Sequence, residues 1–274
     1  GGYVRVAMVP PLEACREAIA IWRQVCAARQ LEFDADLVKG LIERHYAIEK
    51  KPMLPCHPRY LIGLAQDLAR YHGKGNTITG DDLDAANGRR MVLLAGDISP
   101  RKGVLAFLEL AEACRGAPWC FAVAGHIHGD AFSGAELERI QAAASLDNVF
   151  LHLDRIESDQ EFNELVASAD VLYAAYPDFP HSSNQLIQSA FHQVPILVAD
   201  GYLMARRVRE FHLGAAVPYG DNAAMLNALR KLMEADENWL ADFRSGCREY
   251  CRVHSAEQFA REAARICLGE SARQ

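Results

Sequence analysis

The spacing of apolar residues along the chain changes once, near residue 88. Before that point it follows a helical period. PPLEACREAIAIWRQVCAARQ places apolar side chains three and four residues apart, behind a Pro-Pro pair suited to a helix start. The same period runs through DLVKGLIERHYAIEK, which Asp34 and Asp36 can cap, and through HPRYLIGLAQDLARYHG, which Gly73 ends. A short last helix opens at Thr79 in TGDDLDAAN, where Thr79 and Asp82 stand in capping-box positions. Four helices in this stretch predict a small all-α bundle.

From Arg89 onward, short apolar runs alternate with helical segments. MVLLAGD, WCFAVAG, NVFLHL, DVLYAA, PILVAD and GAAVPY are near-continuous apolar runs, the pattern of strands covered on both faces. KGVLAFLELAEACRG, GAELERIQAAAS, SDQEFNELVASA, SSNQLIQSAFHQ and GYLMARRVREFH separate them with helical periodicity, and two or three more helices fill Asn222 to Cys267. Six strands with intervening helices predict an α/β fold, a doubly wound six-stranded parallel, Rossmann-like sheet. The expected domains are a helical bundle over 1–88 and an α/β domain over 89–274. The junction NGRR is too short for a flexible linker.

With 274 residues, 50% of them hydrophobic, the chain can bury a large core. No apolar run approaches the roughly 18 residues of a membrane span. The start, GGYVRVAMVPP, has no apolar signal-peptide segment. The eight cysteines lie mostly within apolar helix and strand patterns, which suits reduced thiols and a cytoplasmic location. Cys247, Cys251 and His254 share one helical face, yet a zinc site there lacks a visible fourth ligand. Up to Gly88 there are 11 basic and 11 acidic residues, so the remaining 18 basic and 25 acidic residues carry the whole net charge of −7. An acidic domain without a basic stripe argues against nucleic acid as the main partner.

In an open parallel sheet, ligands bind at the carboxyl ends of the strands, where the strand order reverses. The first loop, AGDISPRKGV, turns at Gly96 and brings Arg101, Lys102 and Gly103 to a helix start, where backbone N–H groups and cations together can hold an anion. The second, AGHIHGD, carries Gly125, His126 and His128. Its two histidines have the look of metal ligands, but no D-x-H precedes Asp97 and no G-N-H lies between Asp97 and His126, so no metal is expected. The fourth loop runs through Asp178, Pro180 and His181. Ser182 with Gln185 then reads as a capping box, followed by Ser183, Asn184 and, two turns into the helix, Gln188; Val194-Pro195 stops this helix. Its N-terminus is a ready place for a phosphate.

Residues 90 to about 270 resemble the C-terminal, donor-binding domain of GT-B glycosyltransferases of the glycogen-synthase-like family 4. The matching pieces, in order, are LLAGDISPRKGV, FAVAGHIHG, NVFLHLDRIES, ELVASADVLYAAYPD, SSNQLIQSAFHQVPILVAD and GAAVPYGD. The resemblance implies a nucleoside-diphosphate sugar as donor and an unidentified acceptor, with no metal or separate cofactor. It places Lys102, Ser183 and Asn184 at the diphosphate with Arg101 adding charge, counts Gly96 and Ser182 among the donor-binding residues, and gives Gly125 as the residue that leaves room for the donor, with His126 beside it. It also puts Gln188 at the ribose and Asp154 to Ile156 near the base. It identifies no catalytic residue here.

Three positions depart from that family. Its two glutamates, eight residues apart, are Pro180 and Gln188 here, and Asp97 stands where an arginine is common. A neutral glutamine keeps a hydrogen bond worth about 0.5–1.5 kcal/mol where a charged one gives about 1.5–3. These changes raise an alternative, a catalytically silent nucleotide- or sugar-nucleotide-binding protein. GT-B enzymes react in a cleft between two sheets, so an acceptor domain would have to come from upstream sequence or from another chain. The stretch over 1–88 resembles the C-terminal helical lid of an AAA+ ATPase, with Arg59 of PMLPCHPRYLIGLAQDLARY in the phosphate-sensing position. The chain holds no G-x-x-x-x-G-K-[ST], so the further alternative is an ATPase-associated assembly protein that does not itself hydrolyse ATP.

Overall fold

The computed structural model describes residues 12–31, 33–42, 61–63, 65, 66, 69 and 77–267. They fall into two compact units. The first runs up to Pro100 and includes Val104–Ala169; the second is Arg101–Gly103 with the chain from Asp170 onward.

The first unit opens with α1 (Leu12–Ala28), α2 (Ala35–Leu41) and α3 (Gly80–Asn87). Residues 61–63 are helical as well. Asp34 caps α2, its Oδ1 accepting from the Asp36 and Leu37 N–H groups. At α3 the Asp82 carboxylate accepts from the Thr79 N–H at 2.9 Å and from its hydroxyl at 2.6 Å, so Asp serves in the place of the usual Glu. The Pro-Pro start, Arg59 and Gly73 lie outside the described residues.

The helical segment then runs into β1 (Arg90–Ala95), α4 (Val104–Ala113), β2 (Trp119–Ala124), α5 (Gly134–Ala142), β3 (Val149–His152) and α6 (Asp159–Ser168). Trp22, Cys26, Val38, Leu41 and Ile62 of the helical segment share one buried cluster with Cys120 of β2, and Met91 of β1 packs against it. An added Cβ on Gly63 would meet the Phe150 ring of β3 at 2.6 Å, so glycine there lets backbone and ring approach.

The second unit contains β4 (Val171–Ala174), α7 (Asn184–His192), β5 (Ile196–Ala199), α8 (Leu203–Glu210), β6 (Gly214–Val217), α9 (Asn222–Met233), α10 (Glu237–Val253) and α11 (Ala256–Cys267). The six strands make one parallel sheet in the order β3-β2-β1-β4-β5-β6. Registers set Leu93 beside Ala122 and Ala122 beside Phe150, and, farther along, Tyr173 beside Leu197 and Val198 beside Ala216. Strands β2, β4 and β5 are buried throughout, which is why each reads as an unbroken apolar run. Helix α7 ends on Gln193, held left-handed at φ 53°, with the Ser189 hydroxyl donating to the Val194 carbonyl at 2.7 Å. The stop is thus made before Pro195 is reached. Among the described residues no helix is long and apolar enough to cross a membrane.

Candidate functional site

The first unit places Gly96 and Gly125 at the carboxyl ends of β1 and β2, at φ 97° and 137°. The two backbones approach so closely that a Cβ on Gly125 would overlap the Gly96 carbonyl oxygen. One bridge extends the pairing past them: the Ile98 N–H donates to the His126 carbonyl at 2.7 Å and the His128 N–H to the Ile98 carbonyl at 2.9 Å. His126 and His128 flank the bridged Ile127 and stand edge to face, 5.0 Å between ring centroids. His128 Nε2 lies 3.7 Å from Asp97 Oδ1, both side chains well exposed. Asp97 therefore has a histidine neighbour. Among the described residues no three His, Cys, Asp or Glu side chains are arranged to hold a metal ion.

The second unit gathers the other candidates. Pro100–Lys102 form one 3-10 turn, and Gly103 follows at φ 67°. An added Cβ on Gly103 would stand 3.0 Å from the Ala175 carbonyl oxygen, so a glycine lets the turn lie against the end of β4. Lys102 is therefore two residues ahead of α4 instead of opening it. Its Nζ donates to the Tyr176 hydroxyl at 3.0 Å and lies 4.8 Å from the same ring's centroid. The Arg101 guanidinium lies 5.7 Å from the Phe179 ring centroid. Tyr176, Phe179 and His181 meet edge to face in sequence, at 5.4 and 5.8 Å. The fourth loop thus carries an aromatic ladder with two cations set on it. Sequence reasoning missed Tyr176 and Phe179; their only local signal was two aromatics in AAYPDFP.

The cap of α7 differs from the sequence expectation by one residue. Ser183, not Ser182, is the N-cap, its Oγ accepting from the Gln185 N–H at 3.3 Å. The Ser182 hydroxyl instead accepts from Arg207 Nη1 at 2.8 Å. A charged donor outcompetes a backbone N–H for that oxygen. Asn184 is the exposed first residue of α7, and Gln188 is half-buried one turn later. Neither side chain bonds another described residue. Beside α8, Asp200, Arg206 and Arg209 line an open cleft of about 510 Å³, with Arg209 paired to Asp200 at 2.6 Å.

Cys247, Cys251 and His254 do not form a ligand set. Burial, with Cys251 beside it, pushes the Cys247 thiol up from 9.0 to about 12. His254 Nδ1 is engaged with the Tyr250 carbonyl at 3.0 Å. A thiol raised in the folded state stabilises the fold below its unfolded value, and that contribution fades as pH rises from 9.0 toward about 12. The denaturation midpoint is therefore expected to fall through that alkaline window, and Cys247→Ala to flatten the fall. A midpoint equally steep in both chains overturns this.

The fold is similar to that of solved glycosyltransferase structures. HepE (Alr3699) from Anabaena, solved with UDP and UDP-glucose, is 14% identical, with a TM-score of 0.56 over 76% of this chain and 55% of its own. The C-terminal domain of a group 1 glycosyl transferase, LpcC from Francisella tularensis, is 13% identical, with a TM-score of 0.50 over 61% of this chain and 86% of its own. Sucrose-phosphate synthase from Thermosynechococcus elongatus is 20% identical, with a TM-score of 0.52 over 67% and 46%. The chain thus spans about half the length of the two longer enzymes. Residues 17–88 match the family model of a domain of unknown function (DUF8689). The likeness of this segment to an AAA+ lid is not supported: the model that matches it is a different one, and the solved structures above are glycosyltransferase folds. No curated protein matches the chain.

Proposed function

We propose that residues 89–274 form the donor-binding half of a GT-B glycosyltransferase, and that the second unit holds the diphosphate of a nucleoside-diphosphate sugar at Lys102 and the first turn of α7. The observation that carries this reading is the setting of Lys102, fixed on Tyr176 in the unit that also presents Ser183 and Asn184. Lys102 and Arg101 supply positive charge, and the N–H groups at the start of α7 add the helix dipole. Such groups stabilise the charge that develops on a departing diphosphate. The proposed reaction breaks the bond from the sugar to the diphosphate and makes one to an acceptor atom.

Gly96, Gly125 and His126 of the first unit, with Ser182 and Gln188 of the second, are proposed as further donor contacts on the strength of the resemblance. The acceptor half would come from further sequence or another chain. The boundary near residue 88 and a cytoplasmic location belong to the same proposal, which invokes no metal or separate cofactor.

Calorimetric titration of UDP, GDP, ADP and their sugar conjugates is expected to give saturable binding of at least one. Binding of none refutes the reading. Gln188→Glu is expected to tighten that binding several-fold, because a charge-assisted hydrogen bond exceeds a neutral one by about 1–1.5 kcal/mol; unchanged or weaker binding removes Gln188 from the ribose. The His128 contact of Asp97 and the neutral Gln188 favour a second reading, a binding protein that does not turn the donor over. Saturable binding without sugar release, even with a candidate acceptor half added, would select it.

A further inference from the structure

The β4–α7 loop contains Pro177 and Pro180 and turns through Asp178 at φ 45°, so it is poorly held by its own backbone. It is tied down from β5–α8 instead, at two points. The Tyr202 hydroxyl donates to Asp178 Oδ1 at 3.1 Å, and Arg207 Nη1 donates to Ser182 Oγ at 2.8 Å. The second tie has a buried backing. Tyr250 of α10 is 1% exposed and lies beside Arg207 and Ser182. Tyr250 is in turn fixed by Phe211, edge to face at 5.2 Å, and by His254, stacked at 4.0 Å. Helix α10 reaches this position because Gly246 leaves space for the Phe211 carbonyl, which any Cβ there would overlap. Among the described residues Arg207 has no carboxylate partner, and its guanidinium is directed at the neutral Ser182 hydroxyl.

A half-buried guanidinium directed at a neutral hydroxyl is a costly arrangement for stability alone. The hydroxyl it bonds, on Ser182, lies one residue before the Ser183 cap, at the helix end where the donor reading puts an anion. We propose that Arg207, backed by Tyr250, is a positioning residue: it holds Ser182 so that the Ser183–Asn184 backbone is preset for a nucleoside diphosphate. The ligand part of this inference rests on the donor reading above. Arg207 acts through Ser182, so removing both residues should weaken binding no more than removing Arg207 alone.

The test combines binding with backbone exchange. Arg207→Met is expected to weaken calorimetric binding of the nucleotide that the wild type takes up by about tenfold. Ser182→Ala should weaken it less, the double variant should match Arg207→Met within about twofold, and Arg207→Lys should recover part of the loss. Tyr250→Phe keeps the ring packing and should weaken binding several-fold with little change in melting temperature. Hydrogen exchange at the Ser183–Leu186 amides should quicken in Arg207→Met, while the β5 amides stay at the wild-type rate. Wild-type exchange at those four amides overturns the positioning role, whether or not any nucleotide binds. Effects of Arg207→Met and Ser182→Ala that multiply overturn the route through Ser182. Faster exchange in a protein that binds none of the nucleotides upholds the positioning role and refutes the donor reading by itself.

Discussion

A Gly125→Ala chain is expected to lose about 3–5 kcal/mol of stability, or to fail to fold. Two effects act on the same atom. At φ 137° an L-residue is strained, by about 1–3 kcal/mol. The new methyl would also overlap the Gly96 carbonyl oxygen, a backbone atom that cannot rotate away, and overpacking of this kind costs about 1–3 kcal/mol or more. Relief would have to come from the strands themselves, yet the Gly96 N–H donates to the Ala124 carbonyl at 3.0 Å and the Gly125 N–H to the His152 carbonyl at 2.9 Å. Both neighbours of the collision are thus pinned by the ladder. Melting temperature falls by roughly 2–4 °C per kcal/mol in a chain of this size, so calorimetry should show a drop of order 10 °C. Gly134→Ala is the control, since nothing lies within 4 Å of its added methyl at the start of α5. Equal melting of the two variants would mean that β1 and β2 do not approach at Gly96 and Gly125 as described.

Lys102→Ala is expected to weaken nucleoside-diphosphate binding by about ten- to a hundredfold, the equivalent of one charge-assisted hydrogen bond. The loss should shrink at high salt, because part of it is attraction between an ammonium and a diphosphate at a half-exposed site. The substitution also removes the contact with Tyr176, so its melting temperature has to be read beside its affinity. Lys102→Arg keeps the charge and should retain part of the binding. If Lys102→Ala binds like the wild type at low salt, the diphosphate does not sit at this turn. Lys102 would then be a surface cation resting on an aromatic ring.

The parts of the fold legible in the sequence are those set by neighbours a few residues apart. The six strands stand out because both faces of β2, β4 and β5 are covered and nothing polar interrupts them. The Thr79–Asp82 contact stands out because a cap is decided within four residues. The site was less legible because its partners are remote. The ring under Lys102 is 74 positions away, and the guanidinium that takes Ser182 away from the helix cap is 25 away. A capping pattern such as Ser182 with Gln185 states what a hydroxyl can bond, not what will arrive to compete for it. Arg207 and Tyr250 gave no local signal, since an arginine in an amphipathic helix and a tyrosine in a core read as ordinary. The AAA+ likeness had a different origin: helical periodicity with one early arginine is common to many small helical segments and selects no family.

The buried cluster that joins Trp22 to Cys120 has a consequence for biosynthesis. About a hundred residues separate the two positions, and ribosomes add roughly 5–20 residues per second. For about 5–20 s after it emerges, the apolar face around Trp22, Val38 and Leu41 waits for the strand that will complete its cover. A nascent chain in that interval presents a chaperone-binding surface that the finished protein does not.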